Sequence, residues 1–189
     1  MIPQVLTSGL LVRRAGPADA AALQSLVTRS DVMSRYSRFH GAMNRLPSSY
    51  LRLLVDRPAS EHDALVVEVD GRVVAFGDLG PVPGKQGVVE VGILVEAPYR
   101  RQGLARLLLD ELAVRASVRG MSVLRAVVLH DHVPEVKPLL GDRPVLWSWT
   151  DATAHGFDLA LLPLASAPPE PGDVRPSGRN GGSGGRDRV

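Results

Sequence analysis

The sequence predicts an α/β (α+β) fold, a β-sheet with helices packed on it. An Asp70-Gly71 pair separates two apolar, β-branched segments, which marks a tight hairpin. The strand-like run Val88 to Val95 is followed by a long helical segment and then by a second β-branched run. Such a strand–helix–strand unit needs a right-handed crossover, which makes its two strands parallel neighbours. At 189 residues and 44% hydrophobic, the chain is too apolar for a disordered segment and can bury one core of ordinary size.

Each element has a local cause. Leu10 to Arg14 reads as a short strand. The turn Gly16-Pro17-Ala18-Asp19 opens a helix with apolar spacing at Ala22, Leu23, Leu26 and Val27. A polar stretch, Ser34 to His40, leads to Pro47-Ser48-Ser49, which opens a second helix through Leu51, Leu54 and Val55. Ala64 to Val69 and Arg72 to Leu79 are the hairpin strands. After a loop from Gly80 to Gly87 comes the strand Val88 to Val95. A helix is expected from about Arg101 to Arg119, stopped by Gly120, followed by the strand Met121 to Leu129. Leu146 to Trp149 and Gly156 to Leu162 read as two closing strands. From Ala165 the chain turns to Pro, Gly, Ser and Arg, so residues 165–189 are expected to be a disordered tail beyond a domain at 1–164.

Composition excludes several classes. Arg outnumbers Lys twenty to two, yet the formal net charge is only +2 and no polybasic block occurs, so nucleic acid is not an expected partner. With no Cys there are no disulfides, thiolate metal sites or cysteine nucleophiles. No apolar run reaches the roughly 18 residues of a membrane helix. The stretch Met1 to Leu11 is a poor signal peptide, and a cytoplasmic location is expected.

The chemistry is concentrated after Val95, in Glu96-Ala97-Pro98-Tyr99-Arg100-Arg101-Gln102-Gly103-Leu104-Ala105. Pro98 has no donor and ends the strand pairing. Gly103 and Ala105 are expected in the first turn of the helix, where unpaired N–H groups and the positive end of the macrodipole bind phosphate. Small residues there let a phosphate reach the backbone, and Arg100 or Arg101 can add a charge-assisted contact. The plain alternative is an ordinary strand–turn–helix with a surface Arg pair. Neither a Gly-x-Gly-x-x-Gly fingerprint nor a Walker Gly-Lys-Ser/Thr is present.

The segment VEVGILVEAPYRRQGLARLLLDELAVRASVRG resembles the central motif of the GCN5-related N-acetyltransferases (GNAT). Arg100 to Ala105 match that family's pyrophosphate turn. SRYSRFHG (Ser34 to Gly41), DGRVVAFGDLG and VEVGILV look more narrowly like its bacterial protein-lysine acetyltransferase branch. The resemblance covers about residues 10 to 160. It implies a mixed, mostly antiparallel, splayed sheet of six to seven strands flanked by about four helices. It also implies acetyl-CoA as co-substrate, with no metal. The pantetheine arm would enter between strands 88–95 and 123–129 and pair with the first. The N–H near Leu94 or Val95 would polarise the acetyl carbonyl. The implied cofactor residues are Ile93, Leu94, Val95, Arg100, Arg101, Gln102, Gly103, Leu104, Ala105, Arg106 and His132.

Strand alternation puts Val89, Val91, Ile93 and Val95 on one face, and Val88, Glu90, Gly92 and Leu94 on the other. Glu90 is a lone carboxyl in an apolar strand. Burial is expected to raise its pKa and suit it to general-base work. In the resembling branch a glutamate at this position is the base. The alternative is a Glu at a strand edge pairing with an Arg.

The chain departs from the family pattern after Leu129. There the family places an Asn, a helix with a Tyr near the leaving thiolate, and a Gly-Phe. This chain has His130-Asp131-His132-Val133-Pro134-Glu135-Val136-Lys137-Pro138-Leu139-Leu140-Gly141, without the Tyr or the Phe. His132 matches the Asn position. His130 and His132 with Asp131 read as solvated loop residues rather than a metal site. Tyr36, Arg38, Phe39 and His40 fall where the family lines its acceptor cleft, with Phe39 also suited to the core. Trp147 and Trp149 share a strand face, as a wall of that cleft or as packing. The expected function is acetyl transfer to an amine, preferably a protein lysine, by a monomer or homodimer. A small-molecule amine acceptor and a non-catalytic acyl-CoA binding module are the alternatives.

Overall fold

The computed structural model describes residues 9–161; the expected tail at 165–189 and Leu162 lie outside them. Seven strands form one sheet in the order β1-β2-β3-β4-β5-β7-β6, with β1 Leu10–Arg14, β2 Asp63–Val69, β3 Arg72–Pro81, β4 Val88–Val95, β5 Val123–Leu129, β6 Val145–Thr150 and β7 Ala154–Ala160. Only β4 and β5 run parallel, as the strand–helix–strand unit between them predicts. At the hairpin, Asp70 and Gly71 both take positive φ, 51° and 77°, as a two-residue turn matched to strand twist requires.

Among the described residues five helices flank the sheet, against an expectation of about four: α1 Ala20–Arg29, α2 Val32–Phe39, α3 Ser48–Val55, α4 Leu104–Val118 and α5 Val133–Leu140. The additional helix is α2, where the sequence shows only a polar stretch. Its apolar residues Val32, Met33 and Tyr36 stay exposed and Phe39 alone packs against the core, so its eight residues, interleaved with Ser and Arg, read as a polar stretch. Its cause is local. Asp31 caps it, with Oδ1 accepting from the Ser34 N–H at 2.8 Å, and His40 ends it in a left-handed conformation at φ 51°.

The core has two halves. On one face, Leu104, Leu108, Leu112 and Ala116 of α4 recur at helical spacing and pack against Val89, Leu124, Ala126 and Leu159. Removing each large side chain from water contributes roughly 1.5–3 kcal/mol. On the other face, α1 and α3 cover Val66, Phe76 and Leu94. Val89, Val91, Ile93 and Val95 face α4, and Leu94 faces the other way, as period-two alternation predicts.

Candidate active site

The β4–β5 ladder ends at the pair Val91–Ala126, although β4 stays paired with β3 as far as Val95 and β5 with β7 as far as Leu129. From Gly92 onward the two parallel strands part, and the edge of Gly92 to Val95 that faces β5 has no strand partner there. Unpaired backbone groups at that depth seek a strand-like ligand. The wedge opens into a cleft of about 850 Å³ that runs through the sheet, from α2 on one face to α4 and α5 on the other.

The turn after β4 forms the wide end of the cleft. Its backbone is left-handed at Arg101 (φ 60°) and at Gly103 (φ 86°), which is the N-cap of α4. Gly103 therefore precedes the helix instead of sitting in its first turn, and the helix starts at Leu104, three residues later than the sequence predicts. A positive φ is a second reason for glycine at 103. The first helical bond runs from the Leu107 N–H to the Gly103 carbonyl at 2.9 Å, so the N–H groups of Leu104, Ala105 and Arg106 have no intrahelical partner. Gly103, Leu104, Ala105 and Arg106 all line the cleft, as do Ile93, Leu94, Val95, Arg100 and Arg101. Gln102 does not. Its Nε2 donates to the Pro98 carbonyl at 2.9 Å and braces the turn.

The two arginines of the turn differ. Arg100 donates through Nη2 to Asp31 Oδ2 at 2.8 Å and to the Ser34 hydroxyl, and through Nε to the Val95 carbonyl at 3.2 Å. It ties the turn after β4 to α2. The Asp31 carboxyl is pulled down to about 2 by the Ser34 hydroxyl, with burial opposing and the Ser34 N–H and Arg100 assisting. Arg101 lines the cleft and makes no hydrogen bond or ion pair among the described residues, so its charge is open to an anion there. A charge-assisted bond is worth about 1.5–3 kcal/mol. Steady-state kinetics are therefore expected to show the KM for acetyl-CoA rising about tenfold in Arg101→Ala, and less in Arg100→Ala. Equal effects would refute this division of labour.

The other side of the wedge holds Glu90, Arg38 and Arg125. Glu90 is exposed, not buried as its apolar neighbours predict. Its half of β4 lies on the face that α1 and α3 leave uncovered. Nor is it in an ion pair: its register partner Arg125 binds Asp158 instead, with two bonds of 2.7 Å. That bidentate pair raises the Arg125 pKa against burial, with the Glu90 charge adding to the effect.

Arg38 belongs to a buried network that the sequence reading did not find. Its Nη2 donates to the Tyr50 hydroxyl at 2.7 Å and to Asp78, the Tyr50 hydroxyl donates to Asp78 Oδ2 at 2.9 Å, and His62 Nε2 lies 2.9 Å from the same oxygen. Burial works against the Asp78 carboxylate, but Arg38, His62 and Tyr50 outweigh it and hold its pKa below the usual value. The signal available in the sequence was a charged residue within the apolar run Val73 to Leu79; Arg125 stands in β5 in the same way. Of the other predicted lining residues, Arg38, Phe39, His40 and Trp149 do line the cleft. Tyr36 is exposed on α2 outside it, and Phe39 also packs edge-on against Tyr50 with ring centroids 6.2 Å apart. Trp147 is 64% exposed.

His130 and His132 are not alike. His130 Nε2 lies 3.0 Å from the Asp151 carbonyl oxygen. His132 lines the cleft at the start of α5. Its Nδ1 is 3.4 Å from Glu135 Oε2, and its Nε2 is buried without a hydrogen-bond partner. The solvated-loop expectation is thus corrected for His132. Among the described residues no cluster of metal-binding side chains occurs, and no helix is long and apolar enough to cross a membrane.

Comparison with known proteins gives a consistent picture. The family model for the Acetyltransferase (GNAT) family matches residues 30–137. The GNAT domain of a Streptomyces lividans PAT superposes with a TM-score of 0.70 at 22% identity, covering 79% of this chain and 89% of that one. A Salmonella typhimurium protein solved with its cofactor acetyl-CoA gives 0.61 at 20% identity, covering 84% and 96%. An N-acetyltransferase from Staphylococcus aureus Mu50 gives 0.64 at 20% identity, covering 82% and 100%. No curated protein matches significantly.

Proposed function

Since this chain belongs to the GNAT family of acetyltransferases, we propose that it transfers the acetyl group of acetyl-CoA to a protein lysine by direct attack in a ternary complex. The observation that carries this reading is Glu90. It makes no ion pair among the described residues, while Arg38 and Arg125 on the same side of the cleft are balanced by Asp78 and Asp158, and the other carboxylate without an arginine or lysine partner, Glu135, lies across the cleft on α5 beside His132. The uncompensated charge on the acceptor side is negative, which suits an incoming ammonium.

In this mechanism the N–H groups of Leu104, Ala105 and Arg106 hold the pyrophosphate, with Arg101 beside them. The free edge of Gly92 to Val95 pairs with pantetheine, and an N–H of that edge polarises the thioester carbonyl. Glu90 takes a proton from the incoming ammonium, the neutral nitrogen bonds the acetyl carbon, and the C–S bond breaks with CoA leaving as the thiolate while the second N–H proton passes to solvent. His132 lines the same cleft, and its buried, unpartnered Nε2 is a candidate contact for pantetheine.

A protein acceptor is favoured by the sheet face beside Glu90. No helix covers β5, β7 and β6 there, and Trp149 continues the cleft wall toward Leu146 and Trp147, which are exposed on the edge strand. Exposed aromatic residues flanking a cleft suit a polypeptide better than a small amine. Incubating the chain with acetyl-CoA and either lysine peptides, lysate protein or small amines, and measuring released CoA and acetyl-lysine, tests this. Transfer to a small amine with no protein or peptide labelled would overturn the acceptor, and CoA binding without any transfer would overturn the catalytic reading of the site.

A further inference from the structure

Arg38 is anchored by its neighbours but not used up by them. Its Nη2 holds Tyr50 and Asp78, and its guanidinium carbon sits 5.0 Å from the Phe39 ring centroid and 5.6 Å from that of Phe76. Nε and Nη1 have no hydrogen-bond partner among the described residues; Nε is shut away from solvent, so the two N–H groups of Nη1 are the spare donors, on a side chain that is 13% exposed and lines the cleft. The guanidinium rests on Gly92, where a Cβ would overlap it. Gly92 is also the first residue of β4 past the last pair with β5. The narrow end of the wedge is therefore closed by a fixed cation with spare donors.

On the reading that the thioester lies in this wedge, the acyl group ends against Arg38. An acetyl group is short enough to leave water on the spare N–H groups. A neutral four-carbon chain displaces that water and strands the donors, which is unfavourable. A chain of the same length ending in a carboxylate replaces the water with a charge-assisted hydrogen bond. Asp78 balances the charge of Arg38 from the opposite side, so the spare donors stay fixed in place.

We propose that Arg38 selects the acyl group, and that it extends the donor range from acetyl-CoA to thioesters of short dicarboxylic acids, such as malonyl- and succinyl-CoA, over neutral chains of equal length. The transfer is otherwise unchanged: the amine nitrogen bonds the acyl carbon, its proton goes to Glu90, the C–S bond breaks and CoA leaves as the thiolate.

Calorimetric titration of the full chain with CoA, acetyl-CoA, butyryl-CoA and succinyl-CoA tests the proposal. Succinyl-CoA is expected to bind about tenfold more tightly than butyryl-CoA, and the ratio is expected to fall to about one in Arg38→Met while the affinity for CoA itself holds. Equal affinities in the unaltered chain, or a preference that survives Arg38→Met, would overturn it. Arg38→Met leaves Asp78 unpaired, so Arg38→Met/Asp78→Asn is read by the same criterion if the single variant does not fold. Failure of the unaltered chain to bind CoA at all is a different result, and it would sink the wedge as the cofactor site.

Discussion

Glu90→Gln is expected to lower the rate of acetyl transfer at pH 7 by about 10²–10⁴-fold, the range of a positioned general base, with little change in acetyl-CoA affinity. The substitution keeps the shape of an exposed side chain and removes only its basicity. A lysine ammonium with a pKa near 10.4 is deprotonated in roughly one molecule per thousand at pH 7.4. Without a base the enzyme must wait for that fraction. The rate of the variant should therefore climb about tenfold per pH unit toward pH 10, converging on that of the unaltered chain. Initial rates of CoA release from pH 6 to 10 measure this. Full activity of Glu90→Gln at neutral pH would remove Glu90 from the mechanism.

How much of this site was legible in the sequence depends on the range of the cause. The turn at 100–105 and the strand before it were readable because their signals are local: Pro98 stops a strand, small residues open the helix, and Leu104 to Ala116 carry an apolar stripe, whereas the left-handed backbone at Gly103 was not. The alternation of β4 likewise placed Glu90 and Gly92 on one face. Whether that face is covered is not local. It depends on where α1 and α3 pack, and this is why Glu90 is exposed where its apolar neighbours predicted burial. Helix α2 was missed for a related reason. It is held by the Asp31 cap and by Arg38 reaching across to Asp78, forty residues away, while most of its apolar residues stay exposed. The same long-range partnership, formed only once β3 lies beneath α2, fixes the Arg38 side chain in a way that no spacing rule could supply.

That partnership is also where the largest loss of stability is expected. Asp78→Ala should lower the free energy of unfolding by about 3–5 kcal/mol, because it leaves the Arg38 guanidinium buried without a counter-charge. Tyr50 and His62 lose a shared partner at the same time. If an unpaired charge is the cause, Arg38→Met/Asp78→Ala should lose less than the sum of the two single changes, since the double variant strands neither charge. Acid gives an independent test. The folded pKa of Asp78 lies below its ordinary value of about 3.9, so its contribution is complete above that value and fades only as pH falls through the lower folded pKa. Urea unfolding should therefore show a constant gap between the unaltered chain and Asp78→Ala from pH 5 to 8, closing only in stronger acid. A gap that instead changed within pH 5 to 8 would reject the carboxylate as the anchor of α2.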